Sequence, residues 1–197
     1  MILAFLGPPG AGKGTQSRLL ADDLNAYLID VGAHLRALKR QNTPLAKQIQ
    51  SYVDVGKSIP GDLLIKVIGS DILSHRHQPL IIDNFLRLPE QVDAWLDFAR
   101  KHNLKLDAVI HLQVDGQTCW QRLSLRRQTQ KRADDNYQTF LVRYKQVYQT
   151  YIDQILQTLK LHHTQIINID ASLPIETVHR QIIKALQKHN LWITPDV

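Results

Sequence analysis

A short apolar run followed at once by a glycine-rich turn is the feature that most constrains how this chain folds. Residues 2–6 read Ile-Leu-Ala-Phe-Leu, and residues 7–15 read Gly-Pro-Pro-Gly-Ala-Gly-Lys-Gly-Thr. This order predicts a buried strand, a turn and a helix that starts near Lys13. Glycines lack Cβ atoms, so successive backbone N–H groups can point toward one anion. The helix N-terminus and the Lys13 ammonium add positive charge, and the segment therefore predicts a phosphate-binding loop.

Length, cysteine content and charge limit the class of protein. A chain of 197 residues suits one domain and buries roughly 70% of its unfolded surface. The single cysteine, Cys119, cannot form an intrachain disulfide, which favours a cytoplasmic setting. No apolar run approaches the roughly 20 residues of a membrane span, so we expect no membrane association. The net charge of +6 comes from scattered basic residues, which argues against nucleic acid and suits phosphate-bearing ligands.

Apolar runs alternate with helical patterns along the chain. Five runs separated by helices predict a five-stranded parallel sheet covered on both faces, within a single α/β domain spanning 1–197. The predicted strands are Ile2–Leu6, Ala26–Ile29, Leu80–Ile82, Ala108–Leu112 and Gln165–Ile169. The predicted helices are Lys13–Leu24, Ala33–Arg40, Leu45–Val55, Asp62–Ser74, Pro89–Lys101, Gly116–Arg126, Asp135–Leu159 and Ile175–Lys188.

Two segments interrupt the plain alternation. Residues 31–70 hold several short helices where one crossover would suffice, and residues 127–133 form a polar, charged link before a long helix. Insertions of this kind on an α/β core usually carry binding and lid functions. In the long helix, tyrosines recur at helical spacing and are interpreted as packing along one face. They are Tyr137, Tyr144, Tyr148 and Tyr151.

Charged residues follow the predicted strand ends. Ligands of open parallel sheets bind outside the carboxyl ends of the strands, so these side chains are expected to share one cleft. Phosphoryl transfer needs two anions held in line and their charge neutralised by Lys, Arg and Mg²⁺. The candidate cations are Lys13, Arg36, Arg87, Arg122, Arg126, Arg132 and Arg143.

Motifs in the same order and spacing resemble the adenylate kinase and nucleoside monophosphate kinase family, in its short-lid form. The resemblance covers the chain from the first strand to about Leu186. It rests on Gly10-x-Gly12-Lys13-Gly14-Thr15-Gln16, on residues 30–36 and 55–60, on 80–87 followed by Gln91, and on the arginines from 122 to 143. It implies a three-layer P-loop kinase with a helical nucleoside monophosphate-binding insertion (31–70) and a short lid (127–133).

The resemblance also implies roles for individual residues. ATP would be bound by Gly10, Ala11, Gly12, Lys13, Gly14, Thr15 and Arg122. The acceptor AMP would be bound by Val31, Arg36, Gly56, Lys57, Ile59, Asn84, Arg87, Gln91, Arg132 and Arg143. The catalytic cations would be Lys13, Arg87, Arg126, Arg132 and Arg143. Asp83 would orient water on the cofactor Mg²⁺, although a helix-capping role for this carboxylate is also open.

Four positions depart from the family pattern: Val31, Ala33, Asn84 and Leu86 stand where the family has Thr, usually Asp, Gly and Pro. None of these changes removes a charge that contacts phosphate, so they bear on which monophosphate is accepted and how well. We expect a monomeric enzyme that transfers the γ-phosphoryl group of ATP to AMP. A kinase for UMP, CMP or another monophosphate, and a catalytically impaired nucleotide-binding protein, remain the alternatives.

Overall fold

The computed structural model describes residues 1–53, 57–130 and 136–192, and it contains the five-stranded sheet that the sequence predicts. All strand pairs are parallel, in the order β2-β3-β1-β4-β5. The strands are β1 Ile2–Leu6, β2 Tyr27–Asp30, β3 Leu80–Asp83, β4 Ala108–Gln113 and β5 Gln165–Asp170.

Helices connect the strands and cover the sheet. They are α1 Lys13–Asp23, α2 Val31–Leu38, α3 Pro44–Val53, α4 Gly61–Ser74, α5 Pro89–Lys101, α6 Gly116–Gln130, α7 Tyr137–Leu141, α8 Thr150–Leu161 and α9 Ile175–Lys188. A π-helical segment, Val142–Gln149, joins α7 to α8.

Alternate residues of β1 face two separate cores. Ile2, Ala4 and Leu6 pack with residues of α4, α5 and α8 on one side of the sheet. Leu3 and Phe5 pack with α1 and α9 on the other side. All five side chains are buried, which is why this strand reads as a continuous apolar run. The fold is therefore the expected three-layer α/β sandwich.

The strand order reverses at β1. The chain leaves β1 for β2, returns to β3 beside β1, and then crosses to β4 on the other side. In open parallel sheets, ligands bind at such a switch point, outside the carboxyl ends of the strands. Residues 7–12 follow β1 and therefore lie at this point.

Several helix boundaries differ from the sequence prediction, and two of the differences concern the predicted insertion and lid. Helix α2 begins at Val31, two residues early, because the Asp30 carboxylate accepts the Ala33 N–H at 2.9 Å and caps the helix directly after β2. Helix α6 continues past Arg126 to Gln130, so the first residues of the predicted lid are helical.

The predicted helix 135–159 is not one uniform α-helix. Its described part starts at Tyr137, where the Asn136 side chain accepts the Thr139 N–H at 2.9 Å. From Val142 to Gln149 it has π-helical hydrogen bonding before it returns to α8. Within the three described ranges, no helix has the length and apolarity that a membrane crossing requires.

Candidate active site

The loop between β1 and α1 has a shape that its glycines make possible. Gly7, Gly10 and Gly12 have φ angles of 145°, 89° and 94°, which residues other than glycine rarely adopt. A Cβ at Gly10 would lie 2.5 Å from the carbonyl oxygen of Cys119 on α6. The loop therefore packs directly against the backbone of α6.

Lys13 folds back over this loop. Its ammonium donates hydrogen bonds to the carbonyl oxygens of Gly7 and Pro8, both at 2.8 Å. Lysine has three N–H donors, so the two contacts fix the group and use two of them. Gly12 precedes the first residue of α1 and has no side chain to cap it, so the helix N-terminus faces the same space. Ala11 is buried beneath the loop.

The environment of Lys13 disfavours its charged form. Burial, and then the positive charge of Arg87, lower the pKa of Lys13 from 10.5 to about 8. Arg126 contributes a smaller lowering, which places its charge near the same group. A bound polyanion would offset the repulsion among these cations, since phosphate oxygens would stabilise all of them at once.

Asp83 lies at the end of β3 beside the start of α1. It is buried, and its Oδ1 accepts the backbone N–H of Asn84 at 2.8 Å. A Cβ at Gly14 would lie 3.1 Å from its Oδ2, so the small residue leaves the carboxylate room. Burial raises the pKa of Asp83. Helix α5 starts only at Pro89, so Asp83 does not cap a helix.

The residues around Asp83 suit a magnesium ion that is held mainly by a nucleotide. A buried carboxylate with a raised pKa gains from a nearby dication. Mg²⁺ in proteins usually keeps several waters and takes one or two carboxylates together with substrate phosphates. Within the described ranges, no three His, Cys, Asp or Glu residues cluster as a metal cage. The chain thus offers the single carboxylate that such an ion needs.

Asn84 holds Arg87 next to this carboxylate. Its Oδ1 accepts a hydrogen bond from the Arg87 guanidinium at 2.6 Å. The backbone of Asn84 has φ 61°, where asparagine is tolerated better than most residues. A Cβ at Gly32 would lie 3.0 Å from Arg36 Nη1 and 3.5 Å from Asn84 Nδ2, so Arg36 approaches the same group. The two arginines flank Asn84.

Arg36 is the more exposed of the two arginines. Its side chain is 55% exposed and lies 3.6 Å from the Asp30 carboxylate. Val31, one residue after Asp30, is buried in the core. Lys57 is exposed at the other end of the insertion. The structure therefore places Arg36 at the surface near Asn84, and Val31 in the core.

Gln91 links α5 to the insertion. Its Oε1 accepts the Arg87 backbone N–H at 2.6 Å, and its Nε2 donates to the Ile59 carbonyl oxygen at 2.7 Å. Both Gln91 and Ile59 are buried. The amide thus connects the backbone of Arg87 to that of Ile59.

Leu86 shows that this loop is built differently from one with proline at that position. Its φ is 56° and its side chain is fully buried. Proline is confined to φ near −65° and could not adopt this backbone. The departure noted in the sequence therefore changes the course of the chain between Asp83 and Arg87.

Three of the predicted cations line one cleft. Lys13, Arg87 and Arg143 border it together with apolar residues from β1, α8 and the π-helical segment. Arg122 lies further along α6 and donates to the carbonyl oxygens of Ala171 at 2.8 Å and Ser172 at 3.2 Å. It therefore fixes the turn after β5 at the border of the same region.

Some predicted site residues lie outside the described residues. They are Gly56 and Arg132, together with the end of the predicted lid. Their roles stay predictions.

Two residues next to the cleft were not predicted to belong to the site. Tyr148 lines it, and His111 on β4 contacts the Tyr148 hydroxyl at 2.9 Å. His111 is buried in a strand that is otherwise apolar up to Leu112. A lone histidine in such a run was the available signal, whereas the helical spacing of Tyr148 suggested only packing.

The fold and the cleft together define a class. A strand, a glycine loop and a helix N-terminus lie at the switch point of a parallel sheet, with a lysine and two arginines around one cleft. This is the construction of a P-loop phosphotransferase.

Comparison with known proteins gives the family. The family model described as adenylate kinase matches residues 5–185. An adenylate kinase of Corynebacterium urealyticum is 35% identical over 189 residues, covering 95% of this chain and 100% of the relative. Adenylate kinases of Corynebacterium glutamicum (33% over 189 residues; 95% of this chain, 100% of the relative) and a Cyanothece species (38% over 134 residues; 68% and 69%) are also similar. The chain belongs to the adenylate kinase family and is a nucleoside monophosphate kinase.

Proposed function

We propose that the enzyme catalyses the reversible, Mg²⁺-dependent transfer of the γ-phosphoryl group of ATP to AMP, giving two ADP. The observation that carries this proposal is the placement of Lys13, Arg87 and Arg143 around one cleft at the end of β1. Three fixed cations there suit the combined charge of a triphosphate and a monophosphate. The similarity to proteins named adenylate kinase supports the choice of ATP and AMP.

The donor nucleotide would lie over the loop that follows β1. Backbone N–H groups from Gly10 to Thr15 would hold its β- and γ-phosphates, and Lys13 would reach the transferred group. Arg122 would border the donor from α6. This assignment follows from the uncapped start of α1 and the fixed position of the Lys13 ammonium.

The acceptor would lie between α2 and α5. Arg36 and Arg87 flank Asn84 and would grip the monophosphate, since a guanidinium fork binds phosphate oxygens at two points. Gln91 would contact the base, and Lys57 and Ile59 would shape its pocket. Arg143 and Arg126 would neutralise the charge of the phosphoryl group during its transfer, together with Arg132 once the lid closes.

Transfer would be direct and in line, with no covalent enzyme intermediate. The acceptor phosphate oxygen attacks the γ-phosphorus, and the bond to the β–γ bridging oxygen breaks. Asp83 would hold Mg²⁺ through a bound water, and the ion would supply positive charge that neutralises the donor phosphates. Every residue assigned here comes from one chain, so we propose that a monomer is active.

A coupled assay tests the function. With Mg²⁺ and ATP, purified protein should form ADP fastest with AMP and more slowly with GMP, UMP or CMP, and EDTA should abolish the reaction. A preference for UMP or CMP would contradict AMP as the acceptor, but the protein would still be a nucleoside monophosphate kinase. Tight ATP binding without transfer to any monophosphate would contradict the proposal.

Two variants test the site. Lys13→Met and Arg87→Ala should each lower turnover by about 10³-fold. Each variant removes a positive charge of the protein that would contact the transferred phosphoryl group or the acceptor phosphate. Arg100→Ala is the matched control, since Arg100 is exposed on α5 and pairs with Asp97. Near-normal turnover in Lys13→Met or Arg87→Ala would show that the site is misassigned.

A further inference from the structure

The π-helical segment Val142–Gln149 brings Arg143 and Tyr148 to the same cleft. In an α-helix, residues five apart point about 140° away from each other. In a π-helix each carbonyl accepts from the residue five positions on, so such residues lie on the same side. The unusual register therefore allows both side chains to face Lys13.

Tyr148 is fixed to the sheet by a chain of two hydrogen bonds. Its hydroxyl lies 2.9 Å from His111 Nε2, and His111 Nδ1 lies 3.0 Å from Asn168 Oδ1. The Asn168 oxygen can only accept, so Nδ1 carries the proton and Nε2 accepts from the tyrosine hydroxyl. The three polar groups are mutually satisfied with no charge among them.

The protonation states agree with this assignment. Burial lowers the pKa of His111, so the imidazole is neutral near pH 7. Burial raises the pKa of Tyr148 to about 12, so the phenol keeps its proton and donates. The direction of both hydrogen bonds is therefore fixed in the physiological range.

His111 also lies beside the end of β1, where the phosphate loop begins. On β4 it is paired in register with Leu6, the last residue of β1 before Gly7. Asn168 is its register partner on β5. The chain from Asn168 through His111 to Tyr148 thus connects the π-helical segment to the strand from which the phosphate loop starts.

We propose that Tyr148, held by His111, is a positioning residue that keeps Arg143 aimed at the transferring phosphoryl group. The inference rests on the proposed function. The tyrosine itself contacts the wall of the cleft, and its hydroxyl serves to lock the π-helical register against β4. Arg143 neutralises the charge of the phosphoryl group only in that register. Loss of the hydrogen bond between Tyr148 and His111 therefore lowers the rate of transfer more than it lowers the affinity for either nucleotide.

Tyr148→Phe tests the proposal because it removes the hydroxyl and keeps the ring. We expect kcat to fall about five- to tenfold, the effect of one lost hydrogen bond on Arg143 placement. KM for ATP and AMP should change less than twofold. Tyr144→Phe, the same substitution one turn earlier and outside the cleft, is the control and should keep kcat within twofold.

Coupling to Arg143 separates positioning from general packing. In an Arg143→Ala background, Tyr148→Phe should lower kcat no further. His111→Phe should reproduce the effect of Tyr148→Phe, and the double variant should be no worse than either single one. A thermal melt checks that each variant is folded, and the tyrosine variant alone is sufficient if His111→Phe does not fold.

The outcomes are distinguishable. Unchanged kcat in Tyr148→Phe, an equal rise in KM for both nucleotides, or a further loss in the Arg143→Ala background would each overturn the positioning role. A wild-type protein without any transfer activity would instead overturn the proposed function.

Discussion

At the scale of single residues, several groups of the site have protonation or backbone states that are unfavourable without a ligand. The lowered pKa of Lys13, the raised pKa of Asp83 and the left-handed backbone of Asn84 lie within one short region. Strained and charge-frustrated groups of this kind cluster where ligands bind.

Binding of ATP should take up a proton at Lys13. With a pKa of about 8, roughly 0.1 of the free protein lacks this proton at pH 7 and roughly 0.8 at pH 8.5. A triphosphate raises the pKa, so proton uptake should increase from pH 7 to pH 8.5. Calorimetric titrations in two buffers with different ionisation enthalpies measure the uptake.

Lys13→Arg is the control for that titration, because arginine stays charged at both pH values. Its proton uptake should not rise between pH 7 and pH 8.5. Equal uptake by the wild-type and Lys13→Arg proteins at pH 8.5 would contradict the assigned pKa.

Position 84 should invert the usual order of glycine and alanine. At φ 61° a Cβ costs about 1 kcal/mol, so Asn84→Ala should be less stable than Asn84→Gly by about that amount. At Gln48, exposed within α3, Ala should instead be more stable than Gly. Urea unfolding of the four variants compares them, and Ala as stable as Gly at position 84 would count against the left-handed backbone.

At the scale of elements, side chains at strand and helix ends connect the insertion to the core. Asp30 ends β2, caps α2 and lies beside Arg36. Gln91 joins α5 to the backbone of Ile59. His34 on α2 bridges to Asp71 on α4 at 2.7 Å. Polar bridges therefore join α2 to α4 and α5 to the segment that holds Ile59.

The His34 bridge should make stability depend on pH. Partial burial alone would lower the pKa of His34, but the Asp30 carbonyl and the Asp71 carboxylate outweigh it and raise the pKa. Because the folded-state pKa exceeds the unfolded value of about 6.5, the stabilisation is full below pH 6.5 and is lost as pH rises through the folded-state pKa.

His34→Asn measures this effect. The difference in free energy of unfolding between wild type and His34→Asn should be larger at pH 6 than at pH 8.5. His77→Asn, an exposed histidine after α4, is the control and should show no such trend. A His34→Asn difference that stays constant with pH would rule out the ion pair with Asp71.

At the scale of the whole molecule, the sequence predicts the sheet and its cleft because both follow from local patterns. Each strand is a short apolar run, and parallel strands necessarily bring their carboxyl ends together. The positions of Lys13, Asp83 and Arg87 near one another follow from that rule. Motif order then supports Arg143, although it lies far along the chain.

The parts that could not be predicted depend on long-range contacts. The hydrogen bond between His111 and Tyr148 joins residues 37 apart and leaves no local pattern. Over eight residues, apolar spacing does not separate π-helical from α-helical hydrogen bonding. The burial of Gln91 similarly depends on Ile59, which lies 32 residues earlier.

The most direct test of the shared cleft is a calorimetric titration with a bisubstrate compound in which five phosphates join two adenosines. We expect one bound molecule per chain, with affinity reduced about ten- to hundredfold by Lys13→Met, Arg87→Ala or Arg143→Ala and unchanged by Arg100→Ala. Two bound molecules per chain, or wild-type affinity in the first three variants, would contradict the shared cleft.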